Sequence, residues 1–110
     1  MADHLKDFEL MILLAVLRLD EEKAYGVPLA AEIEQTTGRS VALASVYAAL
    51  ERLEDRGWVS SRMGESTAQR GGRAKRHFRV TAKGIRRVRE AKGALVKMWM
   101  GIRELQEGTT

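Results

Sequence analysis

Cysteine is absent from this chain of 110 residues, which excludes disulfide bonds and metal sites built on thiolates. Long hydrophobic runs are absent as well. The longest run, Leu10–Leu17, is far shorter than the roughly 20 residues that a membrane span requires. Acidic residues, including Asp7 and Glu9, precede that run, where a secretory signal would carry positive charge. We therefore expect a cytoplasmic protein without a membrane span or a signal peptide.

Residue patterns that support catalysis or metal binding are missing too. His4 and His77 have no neighbouring ligands at metal-site spacing, and we expect both on the surface. Ser45 does not lie in a Gly-x-Ser-x-Gly context, and neither a glycine-rich phosphate loop nor a paired set of carboxylates stands out. The sequence therefore predicts a protein that is not an enzyme and needs no cofactor.

The positive charge is concentrated in one part of the chain. The formal net charge is +4, from 19 basic and 15 acidic residues, in a length that suits one domain. The segment Arg56–Val80 alone contains seven Lys or Arg and a single acid, Glu65, so the rest of the chain is slightly acidic. This distribution indicates a local contact with a polyanion.

Two helices are predicted in the first third of the chain. Phe8–Leu19 is apolar around most of its circumference, so it must be covered on more than one side, and a second protomer is the expected cover. Tyr25–Gly38 forms the second helix, because Pro28 suits a first turn and Gly38 suits a left-handed cap at the carboxyl end.

A third helix is predicted from Leu43 to Gly57. Four apolar residues recur at helical spacing and predict its buried face: Leu43, Val46, Leu50 and Leu53. The opposite side is small, polar or basic: Ser45, Ala48, Ala49, Arg52 and Arg56. Its acids all come late: Glu51, Glu54 and Asp55. The amino-terminal half, where the helix dipole is positive, could therefore approach a polyanion.

Two helices, a short turn and a third helix fit a helix-turn-helix and any small three-helix bundle equally well. The next segment favours the helix-turn-helix. Trp58–Met63 and Arg73–Val80 are predicted strands around the loop Gly64–Gly72, and together they form a β-hairpin with a basic tip. Phe78 and Val80 share the face expected to pack on the helices. A basic hairpin directly after a DNA-reading helix is a wing.

The ordered set AYGVPL (24–29), SVYAALERLEDRGWV (45–59) and RGGRAKRHFRVTAKG (70–84) resembles the PadR family of winged-helix transcriptional regulators, in its short subgroup with a single C-terminal dimerisation helix. The expected fold is mainly α with a small β-hairpin: a winged helix-turn-helix in residues 1–80 and a long dimerisation helix in residues 81–110. The resemblance implies a homodimeric repressor that binds double-stranded DNA at a pseudo-palindromic operator and is released by a small ligand.

Ten residues are candidates for DNA contact: Tyr25, Gly26, Ser45, Tyr47, Ala48, Arg52, Arg70, Arg73, Lys75 and Arg76. The resemblance implies that Ser45 and Tyr47 contact the operator. The alternatives are that Ser45 is merely exposed and that Tyr47 packs against the second helix. Arg52 could bind a phosphate or pair with Asp55 within its own helix.

The remaining candidates lie in the wing and at the start of the second helix. Four basic side chains are expected to project around the wing tip: Arg70, Arg73, Lys75 and Arg76. Their alternative role is an ordinary solvated surface, although the flanking glycines favour DNA contact. Tyr25 and Gly26 open the second helix, where backbone N–H groups can hold a phosphate.

The last helix is predicted over Thr81–Gln106, with Thr81 as its N-cap. Apolar residues spaced by three and four positions form an unbroken seam: Val88, Ala91, Leu95, Met98, Ile102 and Leu105. This seam, together with Leu13 of the first helix, is the predicted dimer contact.

A planar apolar effector would bind at Leu95, Met98 and Trp99. In the multidrug-sensing members that this subgroup resembles, a tryptophan of the last helix stacks flat aromatic drugs. Counted from Thr81 and Gly84, that position holds Leu95 here, and Trp99 follows one helical turn later. The alternative is that Trp99 packs at the dimer interface.

A different function is also compatible with a winged-helix dimer. The protein could serve as a protein-interaction adaptor or antirepressor that has lost operator binding. The basic wing argues against this alternative, because an adaptor has no need for so many cations at a hairpin tip.

Overall fold

The computed structural model describes residues 5–64 and 74–106, and it confirms a mainly helical chain with one β-hairpin. Four α-helices and two strands follow one another in this order: α1 (Asp7–Arg18), α2 (Gly26–Thr37), α3 (Leu43–Asp55), β1 (Val59–Met63), β2 (Arg76–Val80) and α4 (Ala82–Trp99). Two short 3-10 turns complete the described elements: Glu21–Lys23 and Arg103–Leu105.

The core lies where α1, α2 and α3 pack against one another, with the hairpin at one side. The predicted buried face of α3 is confirmed at Val46, Leu50 and Leu53, whereas two assignments on this helix were wrong. Ala49 is completely buried, and Leu43 is largely exposed. Leu43 is the first residue of α3 and extends past the core, so the buried stripe starts one turn later than predicted.

Local capping signals in the sequence set the ends of two helices. Gly38 adopts a left-handed backbone conformation with a φ of 78° and ends α2, as predicted. Thr81 caps α4: its hydroxyl accepts a hydrogen bond from the backbone N–H of Gly84 at 3.0 Å and donates to the carbonyl of Gly57 at 2.7 Å. The same threonine therefore fixes α4 to the turn after α3.

The hairpin is antiparallel, and its register pairs Val59 with Val80 and Ser61 with Phe78. Phe78 and Val80 are buried against the helices, which confirms their predicted direction. His77 is half-buried rather than a surface histidine. Its Nε2 and Nδ1 lie 3.0 Å and 3.1 Å from the backbone carbonyls of Glu22 and Lys75, so the ring joins β2 to the first 3-10 turn.

The last helix is shorter than predicted, because α4 ends at Trp99 instead of reaching Gln106. Gly101 has a φ of 83°, a left-handed conformation that glycine adopts without strain and that cannot continue a right-handed helix. Ile102 and Leu105 therefore lie outside the helix, and the predicted seam is helical only as far as Met98.

Candidate nucleic-acid interface

The exposed side of α3 differs between its two halves. Ala44 and Ala48 are exposed in the amino-terminal half, and Glu51 and Asp55 are exposed in the carboxyl-terminal half. The acids would repel a polyanion, while the small side chains permit close approach near the positive end of the helix dipole. The amino-terminal half of α3 thus has the surface better suited to nucleic acid, and in the other half Arg52 is a half-exposed basic side chain between these acids.

Ser45 lies on this favourable half. Its side chain is exposed in the first turn of α3, and no hydrogen bond to its hydroxyl is present within residues 5–64 and 74–106. Together with Phe8 and Val41, it lines a shallow hollow of about 290 Å³ beside the turn that precedes α3. The hydroxyl is therefore free to donate to, or accept from, a ligand.

Tyr47 links α3 to the amino end of α2. Its ring occupies the space directly against Gly26, so that a Cβ added at Gly26 would overlap the ring. Tyr47 nevertheless remains partly exposed. The predicted packing of this ring against the second helix thus exists, and it leaves the outer edge of the ring available to a partner.

The base of the wing, residues 75–77 where β2 begins, approaches the same end of α2. The Lys75 Nζ lies 5.1 Å from the centre of the Tyr25 ring, a cation–π distance, and the His77 ring meets Tyr25 edge-on at 5.3 Å. Gly26 follows Tyr25 in the chain and contacts Tyr47. Four of the predicted DNA-contact residues are therefore joined by direct contacts: Tyr25, Gly26, Tyr47 and Lys75.

Arg52 does not form the pair with Asp55 that was the alternative to a phosphate contact. Its Nε donates to the Glu9 carboxylate of α1 at 2.8 Å, across the interface between the two helices. Glu9 is only 1% exposed, and the Lys6 backbone N–H donates to it at 3.1 Å while the Arg56 guanidinium lies 3.9 Å away. Burying a charge is unfavourable unless it is paired, and these groups supply the pairing.

The surroundings of Glu9 also set its ionisation. Burial on its own raises the pKa of Glu9, whereas the hydrogen bonds from Arg52 and Lys6 and the charges of Arg52 and Arg56 lower it. The lowering effects prevail, so the pKa of Glu9 lies below its ordinary value of 4.5. Glu9 is accordingly an ionised carboxylate inside the protein at neutral pH.

Arg76 is held at the base of the wing and does not project from its tip. Its guanidinium contacts the Glu54 carboxylate of α3 and donates to the Ser61 hydroxyl at 3.0 Å, and Ser61 donates to Glu54 at 2.7 Å. The expected projection of Arg76 around the wing tip was wrong, because its guanidinium is bound to a carboxylate on another element and to the opposite strand. These contacts fix the wing to the end of α3. Contact of Arg76 with DNA stays a prediction.

Two predicted wing residues, Arg70 and Arg73, lie outside the described residues. Two other arginines near the wing have a structural contact that the sequence pattern did not indicate. Arg56 and Arg87 lie 5.2 Å and 5.6 Å from the centre of the buried Trp58 ring. This contact joins α3, the start of the hairpin and α4 around one aromatic side chain.

The predicted dimer residues differ in how far the single chain buries them. Leu13 is completely buried in the core of the single chain, so its assignment to the dimer contact was wrong; its neighbours Leu14 and Leu17 are the exposed leucines of α1. Val88 packs partly against the same core, and Ala91 is half-buried. Leu95 and Met98 are 57% and 76% exposed, so the second half of the seam is uncovered in a single chain.

Trp99 lies at the end of a hollow between α1 and α4. The hollow has a volume of about 240 Å³ and is lined by apolar side chains and by Lys92: Leu10, Leu14, Val88, Lys92, Leu95, Val96 and Trp99. Leu95 and Trp99, two of the three predicted ligand residues, line it, while Met98 does not. The surface of the hollow is therefore apolar, and Lys92 contributes only the apolar part of its side chain.

No group of three or more His, Asp or Glu side chains in the described ranges is arranged to hold a metal ion. None of the described helices has the length and hydrophobicity needed to cross a membrane.

Comparison with known proteins places these features in a family. Residues 13–90 match the transcriptional regulator PadR-like family. A comparison with curated proteins finds no significant match.

Several solved structures share the fold. A PadR-like transcription factor from Bacteroides fragilis is 22% identical with a TM-score of 0.70, covering 83% of this chain and 82% of its own. A PadR-like regulator from Bacillus cereus is 19% identical with a TM-score of 0.69, covering 92% of both chains. A PadR family regulator from Eggerthella lenta is 24% identical with a TM-score of 0.69, covering 89% and 82%. The chain thus belongs to the PadR-like family of transcriptional regulators, with the winged helix-turn-helix fold and DNA-binding regulation that this membership implies.

Proposed function

We propose that this protein is a homodimeric repressor that binds a pseudo-palindromic operator through α3 and the wing. The observation that carries the proposal is the junction of three elements through Tyr47, Gly26, Tyr25 and Lys75. At this junction the amino-terminal half of α3, the amino end of α2 and the wing base form one surface. That surface offers hydroxyl, backbone N–H and ammonium donors, the groups that contact DNA phosphates and base edges.

Dimerisation is proposed to involve α4 and α1 together, with residues 1–80 as the DNA-binding unit and residues 81–110 as the main dimerisation segment. The exposed apolar residues support this assignment: Leu14, Leu17, Leu95, Met98, Trp99, Met100, Ile102 and Leu105. Leu14, Leu95 and Trp99 of this set line one hollow between α1 and α4, and an exposed apolar patch of this kind is typical of a protein interface. Two-fold symmetry would then place two copies of α3 in successive major grooves, roughly 34 Å apart.

An effector is proposed to bind in the hollow between α1 and α4, at Leu95 and Trp99. To act as an inducer, such a ligand must favour one spacing of the two α3 helices over another. The hollow adjoins the proposed dimer surface, so a bound planar compound could alter the packing of one protomer on the other. Release from the operator would follow from that change.

Selection of genomic fragments by the purified protein tests the proposal. The account predicts enrichment of a small set of fragments that share an inverted repeat. Footprinting of an enriched fragment should show two protected segments about one helical turn apart. Failure to retain any fragment at low salt would contradict operator binding and favour the adaptor function.

A further inference from the structure

The salt bridge between Glu9 and Arg52 uses only part of the arginine. A guanidinium carries five N–H donors, one on Nε and four on the two terminal nitrogens. Arg52 donates to Glu9 through Nε, and among the described residues its terminal nitrogens have no other partner. The Arg52 side chain is 46% exposed, whereas that of Glu9 is 1% exposed. The carboxylate therefore holds the buried edge of the guanidinium and leaves its outer edge accessible.

Arg52 lies on the edge of α3 that is proposed to face DNA. Arg52 follows Ser45 by seven residues, so the two lie on the same edge of α3, two turns apart. Two acids, Glu51 and Asp55, are exposed close to Arg52 on the same helix. Without Glu9, Arg52 would be attracted to these acids, with Asp55 at the favourable i+3 spacing.

We propose that Glu9 is a positioning residue for DNA binding: it holds Arg52 through Nε so that the terminal nitrogens of Arg52 contact a backbone phosphate. The inference rests on the proposed function. Glu9 is too buried to touch DNA itself. Its effect on DNA affinity therefore acts entirely through Arg52. A guanidinium suits this arrangement because its rigid fork can bind two oxygen partners at once.

A double-mutant cycle with Glu9→Gln and Arg52→Ala tests the inference, with the dissociation constant for a labelled DNA duplex measured over a salt series. In a dimer, Arg52→Ala should weaken binding roughly tenfold and reduce the magnitude of the log–log salt slope by about 1.8, because two phosphate contacts are lost. Glu9→Gln should weaken binding about threefold to tenfold on its own and cause no further loss in the Arg52→Ala background.

Two further variants separate orientation from simple charge and from stability. Arg52→Lys keeps the positive charge but lacks the fork, so it should bind nearly as weakly as Arg52→Ala; affinity equal to wild type would overturn the inference. Glu32→Gln removes a carboxylate that Arg18 contacts at 2.6 Å between α1 and α2, away from α3, and it should leave DNA affinity unchanged.

The possible failures are distinguishable. An equal effect of Glu9→Gln in the wild-type and Arg52→Ala backgrounds would show that Glu9 acts through folding alone, and would overturn this inference while leaving the proposed function intact. Absence of DNA binding by the wild-type protein would overturn both.

Discussion

The ring of Tyr47 lies directly against the backbone of Gly26, so α3 meets the amino end of α2 through this ring alone at that point. This relationship makes the glycine a requirement of the proposed DNA surface. Any larger residue at position 26 must move either the tyrosine ring or one of the two helices.

Replacement of Gly26 with Ala should therefore lower both stability and DNA affinity. The added methyl group would overlap the Tyr47 ring, and overpacking of this kind costs about 1–3 kcal/mol. Urea unfolding and DNA retardation would measure the two effects. Gly93 of α4 provides the control, because nothing lies within 4 Å of a Cβ added there. Gly93→Ala should stabilise the protein by about 0.5–1 kcal/mol, since alanine favours a helix. Equal stability of the two variants would contradict the proposed contact.

Acid should destabilise the protein partly through Glu9. The pKa of Glu9 in the folded protein is lower than in the unfolded chain, so the ionised group stabilises the fold above about pH 4.5. This contribution is lost as the pH falls through the folded-state pKa, because the carboxylate must then be protonated. Urea denaturation between about pH 6 and about pH 3, a range that brackets the ordinary carboxyl pKa, measures this loss. Over that range the free energy of unfolding should fall more steeply for wild type than for Glu9→Gln. Parallel curves would show that the pKa of Glu9 is the same in the folded and unfolded chains, which would contradict the lowered value.

Replacement of Leu95 or Met98 with Glu should convert the proposed dimer into monomers or insoluble chain. A carboxylate at either position would be buried without a partner in the interface. Light scattering after size-exclusion chromatography would measure the molar mass. Arg89→Glu serves as the control, because Arg89 is on the exposed polar side of α4, and it should remain dimeric. A dimer that persists in both Leu95→Glu and Met98→Glu would place the interface elsewhere.

A planar compound should change the fluorescence of Trp99 without changing that of Trp58. Trp58 is 1% exposed beneath two arginines, whereas Trp99 is 57% exposed and lines the hollow between α1 and α4. The surface of this hollow is apolar, so a planar compound should bind there by stacking on the Trp99 ring. Titration of a planar aromatic compound against the protein would measure the two emissions. If operator is released while Trp99 emission stays constant, the effector binds at another site.

The features that the sequence predicted well are those with local signals. Gly38 and Thr81 set the cap of α2 and the start of α4 through contacts a few residues away. Gly101 carried a signal of the same kind, but the apolar spacing from Val88 to Leu105 continued past it and wrongly suggested an uninterrupted helix. A glycine near the end of a helical pattern can cap the helix, as Gly101 shows, whereas Gly93 lies inside α4 without ending it.

The features that the sequence did not predict depend on contacts between distant segments. Glu9 lies on the same helical face as Ile12, Leu13 and Val16, and this position in the sequence indicates that Glu9 is buried. Its partner Arg52 is 43 residues away, and no local pattern could have identified it. Arg76 likewise pairs with a residue distant in the sequence, Glu54, which is 22 residues away. Such contacts require the three-dimensional arrangement of the helices.

The salt dependence of DNA binding is the most direct test of the central claim that this protein recognises DNA through the surface formed by α3, the amino end of α2 and the wing. If each protomer of a dimer contacts about four phosphates, the log–log slope of the association constant against salt concentration should be near −7. The measurement requires retardation of a selected fragment over a series of salt concentrations. A slope near zero, or no retardation of any fragment at low salt, would contradict the account and favour a protein-interaction adaptor.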